Sequence, residues 1–161
     1  MRTSPKVNIA DKIIKITASV CYLGFLPIAS GTAGALPGAA ISILLIYLNF
    51  SPFLYAIITL LMVISAIPVC TRAEKIFGVK DSPHIVLDEM VSMPITMFLV
   101  PLKWQLIIAA FILNRLADIV KVPPAYQSQK LNGGLGIVMD DVVAGIYSNL
   151  AMQALVYLLP W

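Results

Sequence analysis

Fifty-six consecutive residues, Ile16 to Thr71, contain no Asp, Glu, Lys, Arg or His, and a second uncharged stretch runs from Val142 to Trp161. The chain has 161 residues, 60% apolar and 12% charged. A single small domain leaves much of its surface exposed and has too little interior for that much apolar side chain. The medium around it is therefore expected to be lipid. The same pattern excludes disorder, a coiled coil and a nucleic-acid-binding domain. Cys21 and Cys70 lie in apolar stretches without metal-ligand spacing and read as small buried side chains, not as a disulfide.

Helical periodicity and turn residues divide the chain into an N-terminal amphipathic helix and about five apolar helices, an all-α integral membrane bundle in one domain spanning residues 1–161. From Val7 to Val20, Ile9, Ile13, Ile16 and Val20 recur at helical spacing with Asp11, Lys12 and Lys15 on other faces, the pattern of a helix lying on a membrane surface. Ser30 to Gly34 reads as a loop. Leu36 to Phe50 and Phe53 to Cys70 read as a spanning pair around Asn49-Phe50-Ser51-Pro52. Thr71 to Glu89 is polar and is expected in water or in a polar cavity. Met90 to Val100 and Trp104 to Val120 flank Pro101-Leu102-Lys103, and Asp140 and Asp141 open the last helix after a glycine-rich loop, Tyr126 to Gly136.

This order predicts an orientation. With the N-terminus inside, Arg2, Lys6, Lys12, Lys15, Arg72, Lys75, Lys80, Arg115, Lys121 and Lys130 fall on the cytoplasmic side, and only Lys103 falls outside. Ten against one obeys the positive-inside rule. The same topology gathers Gly31 to Gly34, Asp88 with Glu89, Arg115 to Lys121, and Gly133 to Asp141 at the cytoplasmic face.

Two pairs of carboxylates, Asp88-Glu89 and Asp140-Asp141, stand at helix starts. One acid there is explained by the helix dipole, but two adjacent acids at the edge of hydrocarbon are costly unless paired, hydrated or metal-bound. A divalent cation explains both pairs. Arg115, Asp118 and Lys121 follow at steps of three on one helical face, which suits either an internal salt bridge or a phosphate clamp with an added metal ligand. The glycine stretches Gly31-Thr32-Ala33-Gly34 and Gly133-Gly134-Leu135-Gly136 allow a phosphate to approach backbone closely, or allow helices to pack closely. His84, the one histidine, has no evident partner. The sequence has no thiolate loop, no aspartyl-phosphate motif and no histidine pair, which leaves an oxygen-ligand metal site beside basic residues. That combination suits Mg2+-dependent hydrolysis of a phosphate ester.

The motifs Gly31-Thr32-Ala33-Gly34, Ile85-Val86-Leu87-Asp88-Glu89, Arg115-x-x-Asp118-x-x-Lys121 and Gly133-Gly134-x-Gly136-Ile137-x-x-Asp140-Asp141-x-x-Ala144-Gly145 resemble, in order and spacing, the phosphatidylglycerophosphatase A family. The resemblance covers Gly24 to Gly145. It implies a multi-pass enzyme of the bacterial cytoplasmic membrane, its active site facing the cytoplasm, that uses Mg2+ to remove the terminal phosphate of the membrane phospholipid phosphatidylglycerophosphate. It places Asp88, Glu89, Asp118, Asp140 and Asp141 at the family's acidic positions and Arg115 and Lys121 at its basic ones. Ser30, Ser92 and Val122 depart from the usual pattern, where a proline, a glycine and a lysine are expected.

On this reading Asp88, Asp140 and Asp141 hold Mg2+, with Glu89 or Asp118 as a further ligand or as the base. Arg115 and Lys121 hold the phosphate, Lys130 is a weaker candidate, and Gly31, Thr32, Gly133 and Gly134 line the phosphate's approach. A phosphatase of another lipid phosphate such as phosphatidate shares this site. A small cation transporter is a further alternative, but it calls for acids at the bilayer midplane.

Overall fold

The computed structural model describes residues 8–121 and 123–158. Among them the fold is all-helical, with seven α-helices and a short 3-10 turn at Leu23–Phe25. The helices are α1 (Ile9–Ala18), α2 (Ser30–Tyr47), α3 (Pro52–Phe77), α4 (Leu87–Thr96), α5 (Trp104–Val120), α6 (Ala125–Ser128) and α7 (Gly134–Leu158). Three of them, α2, α3 and α7, are long and apolar enough to cross a membrane. Many of their large apolar side chains face outward, including Leu44, Leu60, Leu61, Ile64 and Leu150. An outward apolar surface of this kind fits lipid as the solvent.

Helix α4 is the axis of the bundle. It spans only ten residues, about 15 Å at 1.5 Å per residue, and Leu87, Asp88, Val91, Ser92, Met93, Pro94 and Thr96 are all buried. Helices α2, α3, α5 and α7 pack around it. The α2 contact is close because Gly34 and Gly38 face it: a Cβ on Gly34 would stand 2.5 Å from Val86 Cβ, and one on Gly38 would collide with the Met90 carbonyl. Small residues at helix contacts bring backbones together where water supplies no driving force between helices. The last carbonyls of α4 and those of the turn that follows it would be orphaned in the interior. Helix α7 satisfies them: Asn149 Nδ2 donates to the carbonyls of Thr96 (3.0 Å) and Phe98 (2.7 Å), and Gln153 Nε2 donates to that of Phe98 (2.9 Å).

These contacts align α2, α4 and α7 in one direction and α3 and α5 in the other. The starts of α2, α4 and α7 therefore meet the ends of α3 and α5 at one end of the bundle. Helix α1 packs on α3 at that same end, held by Arg72 Nη2 to Asp11 Oδ1 at 2.8 Å. The segment between α3 and α4 is fixed there by His84, whose ring stacks on Phe25 with centroids 4.3 Å apart and whose Nδ1 lies 3.0 Å from the Gly24 carbonyl. His84 thus has partners that the sequence did not reveal.

Several expected boundaries move. Ser30 to Gly34 is the first turn of α2 and not a loop. Helix α3 continues past Cys70 through Arg72, Glu74 and Lys75, good helix formers, and stops at Gly78 in the left-handed conformation, φ 70°. Helix α4 begins at Leu87 and ends at Thr96, earlier at both ends than expected. Helix α7 begins at Gly134, so Asp140 and Asp141 lie in its second turn. The start is set by Gly133, φ 65°, and by Thr71 Oγ1, which accepts the Gly134 N–H at 2.9 Å. Cys70 is buried as expected, whereas Cys21 is exposed; both are free. Arg2, Lys6, the beginning of the expected N-terminal helix at Val7, Val122 and the chain end at Trp161 lie outside the described residues.

Candidate active site

Three helices bring their polar residues to the end of the bundle where α4 begins. The first turn of α4 supplies Asp88 and Glu89, the second turn of α7 supplies Asp140 and Asp141, and the last two turns of α5 supply Arg115 and Asp118. Lys121 caps α5. It sits in the left-handed region, φ 48° and ψ 59°, which ends the helix there. Asp81, φ 49°, adopts the same region on the facing segment. A cavity of about 300 Å3 is lined by Asp81, Ser82, Asp88, Glu89, Asp118, Lys121, Asp140 and Asp141, among others.

Asp88, Glu89 and Asp141 form one group: an oxygen from each lies within 4.8 Å of the other two. Asp88 Oδ1, Glu89 Oε2 and Asp141 Oδ1 are buried and without a hydrogen-bond partner. Three carboxylates side by side, those of Asp88 and Asp141 buried and that of Glu89 partly so, each with a bare buried oxygen, repel one another and have lost much of their water. Hard oxygen donors of this kind fit a small divalent cation such as Mg2+.

Asp140 stands apart from that group. Its Oδ2 accepts from Lys121 Nζ and from Gln129 Nε2, each at 2.8 Å, while its Oδ1 is buried and unpartnered. Burial alone would lower the proton affinity of the Lys121 ammonium, but the hydrogen bond and the charge of Asp140 outweigh burial and raise its pKa. Lys121 therefore stays charged at neutral pH. Arg115 Nη1 lies 3.4 Å from Asp118 Oδ2, and both side chains are largely buried. Its Nη2 donates to Asn114 Oδ1 at 3.1 Å, and its Nε is buried with no partner.

Gly31, in the first turn of α2, closes the site from the fourth side. A Cβ there would stand 2.5 Å from Glu89 Oε1 and 3.3 Å from Arg115 Nη1, so only glycine leaves these groups their positions. Its neighbour Thr32 is exposed. Gly133 and Gly134 pack against Thr71 of α3, with the Gly134 amide already donating to Thr71. Gly133 lines a second polar cavity, also about 300 Å3, with Lys80, Asp81 and Gln129. Lys130 is exposed and its ammonium lies 5.4 Å over the Tyr126 ring, outside the lining of the main cavity.

The structure thus brings Gly31, Asp88, Glu89, Arg115, Asp118, Lys121, Asp140 and Asp141 to one place, and leaves Thr32 and Lys130 at its margin. Sequence reasoning did not single out Asp81, Gln129 or Asn114. Asn114 carried a signal, because an amide directly after the apolar run Leu106 to Leu113 and within the same helix is costly unless it is bonded. Asp81 and Gln129 lie in polar segments where nothing distinguishes them from solvated side chains.

The sequence model of the family described as Phosphatidylglycerophosphatase A matches residues 16–156. The Phosphatidylglycerophosphatase A of Haemophilus influenzae is 37% identical over 136 residues, 83% of this chain and 83% of the relative. The corresponding protein of Escherichia coli is 34% identical, over 78% of this chain and 73% of its own length. A protein of Bacteroides thetaiotaomicron named putative phosphatidylinositol-3-phosphatase is 40% identical, over 78% of this chain and 82% of its own. No solved structure matches. With the family model and two relatives of that name covering most of its length, this chain belongs to the phosphatidylglycerophosphatase A family.

Proposed function

We propose that this chain, an enzyme of that family, hydrolyses the terminal phosphate monoester of phosphatidylglycerophosphate, giving phosphatidylglycerol and phosphate, at the cytoplasmic leaflet of a bacterial inner membrane. The observation that carries the reading is the group of bare, buried oxygens of Asp88, Glu89 and Asp141 on the wall of a cavity shared with Lys121. Few other ligands need three hard anionic donors and a fixed cation side by side. The site end of the bundle also carries Lys12, Lys15, Arg72 and Lys75 on α1 and α3, which supports a cytoplasmic orientation.

Mg2+ would be held by Asp88, Glu89 and Asp141, and it would supply the Lewis acidity and charge neutralisation that phosphate hydrolysis needs. Lys121, on the cavity wall, would bind the phosphate oxygens as a point charge, and Arg115, beside Asp118 and with a buried Nε that no protein group occupies, would supply the second cation. Asp118 keeps the Arg115 guanidinium in place with one oxygen and, as a carboxylate of the cavity wall outside the metal group, would take the proton of the attacking water. Asp140, which also accepts from Gln129, holds Lys121 at the cavity wall. The apolar helices around α4 keep the acyl chains in lipid while the headgroup reaches the cavity.

The relative named for phosphatidylinositol 3-phosphate favours a second reading, in which the same machinery acts on another phosphorylated lipid. Phosphate release by the purified chain in detergent separates the two. Phosphatidylglycerophosphate, phosphatidate and phosphatidylinositol 3-phosphate are compared, each with Mg2+ and with chelator. Mg2+-dependent release from the first alone is expected. Release from another of the three in its place changes the substrate and keeps the site. No release from any of them by a folded protein overturns the proposal.

A further inference from the structure

Helix α5 is apolar from Leu106 to Leu113, yet its next residue, Asn114, is fully buried against α4. An amide at that depth is retained only when its polar atoms are occupied. All of them are. One side of the amide meets Arg115 Nη2 at 3.1 Å, and the other meets Thr96 Oγ1 at 2.9 Å and Ser92 Oγ at 3.1 Å. Arginine only donates, so the atom facing it is the carbonyl oxygen, and the amide nitrogen donates to the two hydroxyls. Ser92 Oγ in turn donates to the Glu89 carbonyl at 3.1 Å. A continuous chain of hydrogen bonds therefore links the backbone of Glu89, beside the candidate metal group, to the guanidinium of Arg115.

We propose that Asn114 is a positioning residue that sets the Arg115 guanidinium at a fixed distance from the carboxylates of α4, ready for a phosphate bound beside them. This rests on the reading that Arg115 holds phosphate. Simple adhesion between α4 and α5 would need only the contacts to Ser92 and Thr96. The contact to Arg115 adds nothing to adhesion. It uses one face of the guanidinium, Asp118 restrains Nη1, and Nε is left bare and buried. A long side chain with several rotatable bonds is thereby held for a ligand before that ligand arrives.

The test measures binding of inorganic phosphate to the full chain in detergent with Mg2+ by calorimetry, alongside melting temperature and phosphate release from phosphatidylglycerophosphate. Asn114→Leu, which keeps volume and removes the acceptor, is expected to weaken phosphate binding about tenfold and to raise KM in proportion. Asn114→Asp keeps an acceptor for Arg115, and the hydroxyls of Ser92 and Thr96 can turn to donate to it. It is expected to bind phosphate within about twofold of the unsubstituted chain. In an Arg115→Ala background, Asn114→Leu should cause no further loss, because residues acting through one another are not additive. Should the leucine variant not fold, Asn114→Ala carries the same expectation. Undiminished phosphate binding in the Leu or Ala variant, with only a lower melting temperature, overturns the proposal. Equal losses with and without Arg115 overturn it too. An unsubstituted chain that binds phosphate but releases none from lipid overturns the functional reading alone.

Discussion

Lys121 Nζ lies 2.8 Å from Asp140 Oδ2, joining the end of α5 to the second turn of α7 at the wall of the cavity. Asp140 is buried, and Lys121 and Gln129 together satisfy only one of its oxygens. Removing the cation would leave a buried carboxylate with an amide as its only partner, a larger loss than an exposed ion pair could cause. Lys121→Met is therefore expected to raise KM for the lipid at least about tenfold and to lower the melting temperature as well. Steady-state kinetics and thermal unfolding in the same detergent check both.

Asp141 has no such cation beside it. Its Oδ1 is bare, and its nearest grouped neighbours are the carboxylates of Asp88 and Glu89. Replacing one charge of the three with a neutral amide relieves their repulsion while weakening any cation site they form. Asp141→Asn is expected to abolish measurable turnover and leave a folded protein whose melting temperature is equal or higher. Mn2+ binding followed by electron paramagnetic resonance should weaken at least about tenfold in the variant. Full activity in Asp141→Asn would remove this carboxylate from the site.

The sequence made the helices legible wherever composition was uniform, and less so wherever packing decided. Helix α5 occupies Trp104–Val120 as its apolar run predicts. Helices α2 and α7 start earlier than expected because Gly31, Gly34, Gly133 and Gly134, poor helix formers by propensity, are placed by contacts with α3, α4 and α5. No local pattern announces those contacts. The extension of α7 to Gly134 also changes the meaning of its acids: Asp140 and Asp141 do not flank the helix start, so the dipole does not account for them. Asp88, Glu89, Arg115, Asp118, Lys121, Asp140 and Asp141 were visible as paired or evenly spaced charges at the edges of apolar runs, whereas Asp81, in a polar segment, was not. Their division into two groups, Asp88-Glu89-Asp141 and Asp140-Lys121-Gln129, depends on which face of α7 each residue takes, and only the packed bundle shows that.

Gly38 tests the packing that carries the site without touching it. Its missing side chain lets α2 lie against the Met90 carbonyl and within contact of Met93, one turn beyond Asp88 and Glu89. Gly38→Ala forces these backbones apart, and overpacking of this kind costs about 1–3 kcal/mol. A lower melting temperature is expected, with KM for the remaining folded protein little changed. A variant as stable as the unsubstituted chain would mean that α2 and α4 are not in close contact.

Gly31 makes the complementary case, a glycine whose substitution should cost activity more than stability. It lies on the partly exposed first turn of α2, so the helix can absorb an added methyl there at little cost to the fold. The atoms that must give way are Glu89 Oε1, 2.5 Å from the new Cβ, and Arg115 Nη1, 3.3 Å from it. One belongs to the carboxylate group and the other to the phosphate clamp, and displacement of reacting groups by about 1 Å can cost about a hundredfold in rate. Gly31→Ala is expected to lower kcat/KM by about tenfold to a hundredfold while the melting temperature changes little. Kinetics and unfolding of Gly31→Ala and Gly38→Ala side by side should therefore separate, one losing rate and the other stability. The reverse pattern would move Gly31 out of the site and make the first turn of α2 a packing element only.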